Sequence, residues 1–194
     1  MPAVLHVEGK APDVVTVKMT KSKRQKELAK DRLRVWIDGA CEPINPGGTA
    51  SYGVIVKHGG EVLFSKGEVI SQGPKMSNNV GEYSGLIAFL NWYIATMKAL
   101  DSRQLTKRPV IYSDSRMLIN QMTRSWRAKR GLYLPYYNKA TNLIRQNNLD
   151  LSFWWIPRGQ NREADRLSKD ALLKAGIPLK IQPERFPKNT ARAL

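Results

Sequence analysis

Four acidic residues stand at the ends or the beginnings of predicted elements, where their side chains could meet and bind metal ions. Asp38 ends the strand pattern RVWIDGA, and Asp114 follows a short apolar strand at residues 108–113. Glu82 and Asp165 lie in early turns of predicted helices. Carboxylates at close range repel each other unless divalent cations neutralise them, and hard oxygen ligands favour Mg²⁺ or Mn²⁺. Two such ions on a phosphodiester would activate water and stabilise the leaving oxygen.

The alternative interpretation of these acids is structural. An Asp-Gly pair after a strand is often a turn, and an acid near a helix N-terminus is often a cap or a partner of the helix dipole. Each of the four acids, taken alone, fits such a role. The metal-site hypothesis therefore requires that the fold bring them together.

The elements that must position the acids follow the order β-β-β-α-β-α-α-β-α. Strands at 34–40, 50–57 and 61–70 form a predicted antiparallel meander, with a hairpin through His58-Gly59-Gly60 and a loop at 41–53. A long helix begins near Ser77 and carries an apolar stripe of Leu86, Phe89, Leu90, Tyr93 and Met97. Further helices follow Asp114, span 135–147 and begin at Asn161, and a largely buried strand covers 150–156. The pattern predicts an α/β fold with a five-stranded mixed sheet flanked by helices, in which strands one and four are parallel neighbours.

Charge and composition indicate a polyanionic partner. The 194 residues carry a formal net charge of +16, which favours nucleic acid over the alternatives of a solubilising surface or an anionic lipid. The single cysteine excludes a disulfide framework or a cysteine-built zinc site, and the two histidines lie far apart in sequence. No apolar run is long enough to cross a bilayer. We expect a cytoplasmic protein with no membrane partner.

Three segments differ in composition. Residues 1–30 carry seven Lys or Arg against three acids and are predicted to be a basic arm, either a short amphipathic helix or a disordered segment that contacts phosphates. Residues 31–176 contain all the predicted elements and the four acids. Residues 177–194 include several prolines and no clear period, and we predict a tail.

Trp126 lies within RSWRAKRG, among four cationic side chains. Such a tryptophan either packs on its own helix or contacts a base or sugar beside phosphates. The sequence leaves both interpretations open.

Four motifs in order resemble the ribonuclease HI family. They are IDGA with Asp38, SNNVGEY with Glu82, YSDSRMLI with Asp114 and NREADRLS with Asp165. The chain from about Leu33 to Ala175 looks like the compact archaeal and bacterial branch, which lacks a large basic protrusion. The resemblance implies an RNase H-like fold and places residues 31–176 as the catalytic domain.

This resemblance also implies an activity: two-metal hydrolysis of the RNA strand of RNA–DNA hybrids, which leaves 3′-hydroxyl and 5′-phosphate ends. Asp38 would bridge two Mg²⁺ ions, Glu82 and Asp114 would complete one ion's ligands, and Asp165 would bind the other ion, with Mn²⁺ as a possible substitute. Glu82 would also lie near the 2′-hydroxyl that distinguishes RNA from DNA.

Further residues match the family's nucleic-acid contacts. Asn78 and Asn79 match minor-groove contacts, Ser77 a DNA phosphate contact and Trp126 an aromatic residue along the DNA strand. Arg116 and Arg158 would add backbone contacts. The loop IPRGQN has Gly159 where related chains often have Glu or His, so slower turnover is expected.

Two other functions remain open at this point. The first is a nucleic-acid-binding member of the fold with secondary or lost catalysis, against which the four intact acids argue. The second is a nuclease of the same fold that acts on double-stranded RNA or DNA, since phosphate binding is common to both. We expect a monomer.

Overall fold

The computed structural model describes residues 32–99 and 108–180, and only the backbone at residues 97–99. A five-stranded sheet runs through it in the order β3-β2-β1-β4-β5. The strands are β1 (Arg34–Glu42), β2 (Thr49–His58), β3 (Glu61–Gln72), β4 (Val110–Ser113) and β5 (Ser152–Trp155). The predicted basic arm, the end of the tail from residue 181 and the stretch 100–107 lie outside the described residues.

The first three strands form the predicted meander. β1 pairs antiparallel with β2, and β2 pairs antiparallel with β3. The connection Gly59-Gly60 has φ angles of 61° and 115°, which glycine adopts without strain and which suit a two-residue hairpin turn. β1 runs to Glu42 and β2 begins at Thr49, so the loop predicted at 41–53 is confined to residues 43–48.

β4 lies parallel to β1 on its other side, and β5 lies parallel to β4. The prediction that strands one and four are parallel neighbours is confirmed. β1 is therefore the central strand, and the chain that follows β4 leaves the sheet at the same end as the second half of β1. This arrangement places Asp38 and Asp114 at one end of the sheet.

In the described residues, four helices cover the sheet: α1 (Asn78–Ala99), α2 (Arg116–Met122), α3 (Leu134–Gln146) and α4 (Arg162–Lys174), with a 3₁₀ turn at Arg158–Gln160. α1 packs on β1 and β2 from one side, and α3 packs on α1. α4 packs on β2, β3 and β1. The predicted helices are thus found close to their predicted bounds.

The main core lies between α1 and the sheet. Val35 and Ile37 point to this side from β1, and Leu86, Phe89 and Leu90 meet them from the predicted apolar stripe of α1; all five are fully buried. Burial of these side chains attaches α1 to β1 along its first half. The helix turn that carries Glu82 is therefore held against the strand that carries Asp38.

The prediction of a largely buried fifth strand was wrong. β5 is the edge strand of the sheet, and Trp154 and Trp155 are 62% and 40% exposed. An apolar run at the edge packs on one neighbouring strand alone, which leaves large side chains open to solvent. The two tryptophans therefore belong to the surface.

After α4, residues 177–180 remain attached to the domain. Ile177 N–H donates to the Leu172 carbonyl, Leu179 is buried, and Lys180 N–H donates to Glu42 Oε2. Among the helices of the described ranges, none combines the length and the apolar character that a membrane crossing requires.

Candidate metal and nucleic-acid site

Asp38 lies in the middle of β1 and points toward α4. The side chain is 6% exposed, and Ser168 Oγ–H donates to its Oδ2 over 2.6 Å. The pKa of Asp38 is raised to about 7, first by burial and then by the charges of Asp114 and Asp165, while the Ser168 hydrogen bond acts in the opposite direction. A buried carboxylate of this kind is costly to ionise without a cation beside it.

Glu82 reaches the same place from α1, where it lies in the second turn. It is 5% exposed, and Ser113 Oγ–H donates to its Oε2 over 3.1 Å. Burial and the charge of Asp38 raise its pKa well above the usual range. The close approach of helix and strand depends on Gly39, because a Cβ there would lie 2.2 Å from Glu82 N.

Asp114 follows β4 and completes a close group of three acids. Asn161 Nδ2 donates to its Oδ1 over 2.9 Å, and Trp155 Nε1 donates to its main-chain carbonyl over 3.1 Å. One carboxylate oxygen from each of Asp38, Glu82 and Asp114 lies within 4.8 Å of the others. The middle of β1, the second turn of α1 and the residue after β4 thus bring together acids that are up to 76 positions apart.

Asp165 lies in the first turn of α4, beside this group, and differs from it because its carboxylate pairs with basic side chains. Arg158 Nη2 lies 3.0 Å from its Oδ1, and Lys169 Nζ lies 2.7 Å from its Oδ2. The Ser168 hydroxyl that donates to Asp38 also contacts the Asp165 main-chain carbonyl over 2.9 Å, so the two acids are neighbours. Of the four predicted acids, the structure brings three together. Asp165 lies beside them and is paired with the side chains of Arg158 and Lys169.

The residues present fit divalent cations. The three clustered acids have no Lys or Arg within salt-bridge distance among the contacts of the described residues, whereas Asp165 has two. Asn161 Oδ1 is also buried without a hydrogen-bond partner in this part of the chain, beside Asp114. Oxygen ligands of this density suit Mg²⁺ or Mn²⁺ rather than softer metals.

The residues predicted to contact nucleic acid at the start of α1 lie next to the acids. Ser77 is buried, and its Oγ accepts from Val80 N–H, so it caps the helix. Asn78 N–H donates to Asn45 Oδ1, and Asn79 N–H donates to Asn78 Oδ1. Asn78 and Asn79 are partly exposed, four and three residues before Glu82.

The other three predicted contacts lie at the start of α2, after α2 and in the 3₁₀ turn before α4. Arg116 begins α2, and its guanidinium lies 4.2 Å from the ring centroid of Trp155, an aromatic partner that the sequence did not indicate. Trp126 follows α2 and is 53% exposed, so about half of its surface is available for a contact. Arg158 pairs with Asp165, as described above.

Three polar residues with structural roles at the site were not singled out from the sequence. Ser113 and Ser168 donate to acids from positions 31 and 130 residues away. Asn161 is fully buried, and its Nδ2 donates both to the Ile37 carbonyl and to Asp114. A signal existed for Asn161 alone, since Asn before a helical pattern is typical of an N-cap.

Comparisons with known proteins agree with this geometry. The family model described as reverse transcriptase-like matches residues 37–171, more than half of the chain. A bifunctional protein of Mycobacterium tuberculosis is 33% identical over 131 residues, which are 66% of this chain and 32% of that protein. The chain thus spans about a third of the length of this curated relative.

Two further comparisons cover most of the known protein. Ribonuclease HI of Synechocystis is 32% identical over 151 residues, 70% of this chain and 84% of that protein. LC11-RNase H1, isolated from compost by a metagenomic approach and solved in complex with an RNA/DNA hybrid, is 25% identical with a TM-score of 0.65, covering 74% of this chain and 99% of that one. The fold of this chain, the order of its four acidic motifs and these matches place it in the ribonuclease HI family.

Proposed function

We propose that this chain hydrolyses the RNA strand of RNA–DNA hybrids as an endonuclease, with two Mg²⁺ ions, and leaves 3′-hydroxyl and 5′-phosphate ends. The observation that carries the proposal is the group formed by Asp38, Glu82 and Asp114, whose oxygens lie within 4.8 Å of one another. Family membership and the hybrid bound to LC11-RNase H1 support the substrate.

The chain's own residues orient the ligands. Ser168, Ser113 and Asn161 each fix one oxygen of an acid, which sets the rotation of the three carboxylates before any cation binds. Asp38 would bridge the two ions, and Glu82 and Asp114 would complete one ion's ligands. When bound, the ions supply the activation of water and the stabilisation of the leaving oxygen.

Asp165 is the proposed ligand of the second ion. Its carboxylate is paired with Arg158 and Lys169. The side chain of Arg158 is 73% exposed, so it is free to move from Asp165 to a phosphate of the substrate. Arg158 would then serve as the substitute phosphate contact in a loop that has Gly159 in place of a Glu or His.

Recognition of the hybrid would depend on shape and backbone rather than on base sequence. Asn78 and Asn79 would reach the minor groove from the start of α1, and Ser77 would contribute to a DNA phosphate contact there. Trp126 would lie along the DNA strand, and its exposure supports this role. Arg116, held over the Trp155 ring, would contact the backbone beside Asp114.

The test compares substrates and a matched pair of variants. The full chain is incubated with Mg²⁺ and end-labelled hybrid, double-stranded RNA and double-stranded DNA, beside Asp38→Asn and Asp170→Asn. Asp170 is a partly exposed acid of α4 that pairs with Arg166. We expect cleavage of the hybrid's RNA strand by the wild type and by Asp170→Asn, and none by Asp38→Asn or with EDTA.

Other outcomes separate the alternatives. Hybrid binding without cleavage in the wild type would support a binding protein with lost catalysis. Cleavage of double-stranded RNA at the same rate as the hybrid would contradict hybrid specificity and support a nuclease with a broader range of substrates. Product ends, determined by phosphatase sensitivity, test the polarity of the cut.

A further inference from the structure

Three aromatic residues form a row across the half of the sheet that contains β1, β4 and β5. The register pairs Trp36 with Tyr112 and Tyr112 with Trp154, so all three lie at one level on adjacent strands. Residues paired in this way project from the same face of a sheet. Trp36 and Tyr112 are stacked, with ring centroids 5.3 Å apart and 25° between their planes.

This row is open to solvent. α4 covers the same face, but it packs mainly on β2, β3 and β1. Trp36 and Tyr112 remain partly exposed, and Trp154 at the sheet edge is 62% exposed, the highest value among the large hydrophobic side chains of the described residues. Exposed aromatic rings in a contiguous row mark a binding surface rather than a packing surface.

Cations border the row at both ends. Arg34 and Lys57 lie 5.8 and 5.6 Å from the ring centroid of Trp36, although Lys57 also pairs with Glu163. Around the edge strand β5 from Trp154, on the face of the sheet that α1 and α3 cover, a cavity of about 930 Å³ opens between β5, α2 and α3. Its lining includes Arg108, Arg124 and Arg145 against one acid, Asp150. The charge along this track is therefore complementary to phosphates.

The row also continues from the acidic site. Asp38 lies two residues beyond Trp36 on β1 and projects from the same face, which corresponds to about 7 Å along the strand. Three rings on adjacent strands span about 10 Å across the sheet, enough for two or three stacked bases. A nucleic-acid strand that leaves the acids can therefore reach the rings directly.

We propose that Trp36, Tyr112 and Trp154 form a stacking platform for single-stranded nucleic acid that extends from the hybrid, with its phosphates led toward the arginine-lined cavity. The inference rests on the proposed function, because it takes the hybrid at Asp38 as the starting point of the strand. Flat rings beside cations suit bases and phosphates of either sugar, and stacking on them is tolerant of sequence. The platform would thus favour hybrids with single-stranded extensions over blunt ones.

The experiment measures binding in Ca²⁺, without turnover, to a blunt hybrid and to hybrids of the same length with 5′ or 3′ extensions of RNA or of DNA. Trp154→Ala is compared with Trp154→Phe, which keeps a ring, and with Val62→Ala, a control at an exposed position of the opposite edge strand, β3. We expect at least one extended hybrid to bind the wild type about 5-fold or more tighter than the blunt hybrid, since one stacked base contributes about that factor. Trp154→Ala should remove this preference, and Trp154→Phe and Val62→Ala should retain it.

The outcomes are distinguishable from failure of the proposed function. Cleavage of the blunt hybrid by the wild type tests the function alone, and the extended-to-blunt affinity ratio tests the platform alone. Equal affinities for blunt and extended hybrids in the wild type would overturn the platform. An equal loss of affinity for blunt and extended hybrids in Trp154→Ala would overturn it too, because the ring would then contact the duplex. The RNA and DNA arms identify which strand is bound.

Discussion

At the scale of single residues, the site is a set of acids that the fold keeps in an unfavourable state. Asp38 and Glu82 are buried beside each other, and burial is the first cause of the raised pKa of each. The hydrogen bonds from Ser168 and Ser113 offset only part of that cost. Ionising these acids in the metal-free site therefore lowers the stability of the folded chain, and a bound divalent cation would offset that cost.

The pKa of Asp38 gives a prediction about pH. Its value rises from 3.8 in the unfolded reference to about 7 in the folded, metal-free chain, so the folded state binds the proton more tightly. The free energy of unfolding should therefore fall as pH rises from about 4 to about 7. Asp38→Asn should be more stable than the wild type at pH 8 in EDTA, by up to a few kcal/mol since each pKa unit corresponds to about 1.4 kcal/mol.

The measurement is thermal or urea unfolding at pH 5 and pH 8. The difference between wild type and Asp38→Asn should shrink toward pH 5, and Mg²⁺ at pH 8 should stabilise the wild type but not the variant. A difference that is the same at both pH values would contradict the assignment.

Asn161 carries a second prediction at this scale. Asn161→Ala leaves the Ile37 carbonyl without its donor and releases Asp114, so we expect a loss of about 1–3 kcal/mol in unfolding free energy. The Mg²⁺ concentration for half-maximal cleavage should also rise. Asn147→Ala is the control, because Asn147 Nδ2 donates to the Leu143 carbonyl at the end of α3. A loss of stability with an unchanged Mg²⁺ requirement would reduce Asn161 to a structural role.

At the scale of elements, glycines determine how closely helices approach the sheet. Besides Gly39, a Cβ on Gly53 would lie 2.1 Å from the Ala164 carbonyl oxygen of α4. Backbone cannot yield as a flexible side chain does, so these positions fix the separation of β1 and β2 from both helices. The distances among the acids follow from these contacts.

Gly39→Ala should therefore disturb the site from within the scaffold. The added Cβ would meet Glu82 N and Asn78 O, and α1 must shift away from β1, at about 1–3 kcal/mol of stability. We expect a higher Mg²⁺ requirement and a lower kcat. Gly159→Ala is the matched control, since nothing lies within 4 Å of a Cβ there. Equal behaviour of the two variants in Mg²⁺ titrations would show that the approach of α1 does not set the site.

The elements themselves were predictable to different degrees. The meander, the hairpin at Gly59-Gly60 and the stripe of α1 are local patterns, and the structure confirms them. The apolar run of β5 does not reveal whether its strand is central or at an edge, so the exposure of Trp154 and Trp155 was missed. The bond from Asn161 to Ile37 joins residues 124 positions apart, and no local pattern encodes it.

The loop before α4 gives a prediction of gained activity. Gly159 is exposed with open space around it, so a longer side chain fits. Because the resemblance to the ribonuclease HI family implies a Glu or His in this loop, Gly159→Glu should raise kcat severalfold in steady-state cleavage of the hybrid. Gly159→Gln has the same shape without the charge and should not. Equal kcat values for Gly159→Glu and Gly159→Gln would show that a negative charge in this loop does not raise turnover.

At the scale of the whole molecule, charge is distributed unevenly around the acidic site. The net charge of +16 coexists with three clustered carboxylates beside the middle of the central strand. A basic surface raises the local concentration of a polyanion. Divalent cations bound by the acids would make the site itself positive enough to accept a phosphate. Binding should accordingly depend strongly on salt, in proportion to the number of phosphates contacted.

The lysine-rich run KMTKSKRQKELAK, residues 18–30, lies outside the described residues. We predict that it causes part of the salt dependence of hybrid binding. Lys21→Gln with Lys23→Gln should weaken hybrid binding and reduce the slope of log affinity against log salt by about 0.7–0.9 for each phosphate that is no longer neutralised. Lys66→Gln with Lys174→Gln removes the same charge from exposed positions of β3 and α4. If net charge alone steers binding, both double variants lose affinity equally; if the run contacts phosphates, the first pair alone flattens the slope. Cleavage rates at saturating hybrid should be equal in both, because neither pair belongs to the proposed metal ligands. A lower saturated rate in the first pair would place the run at the active site instead.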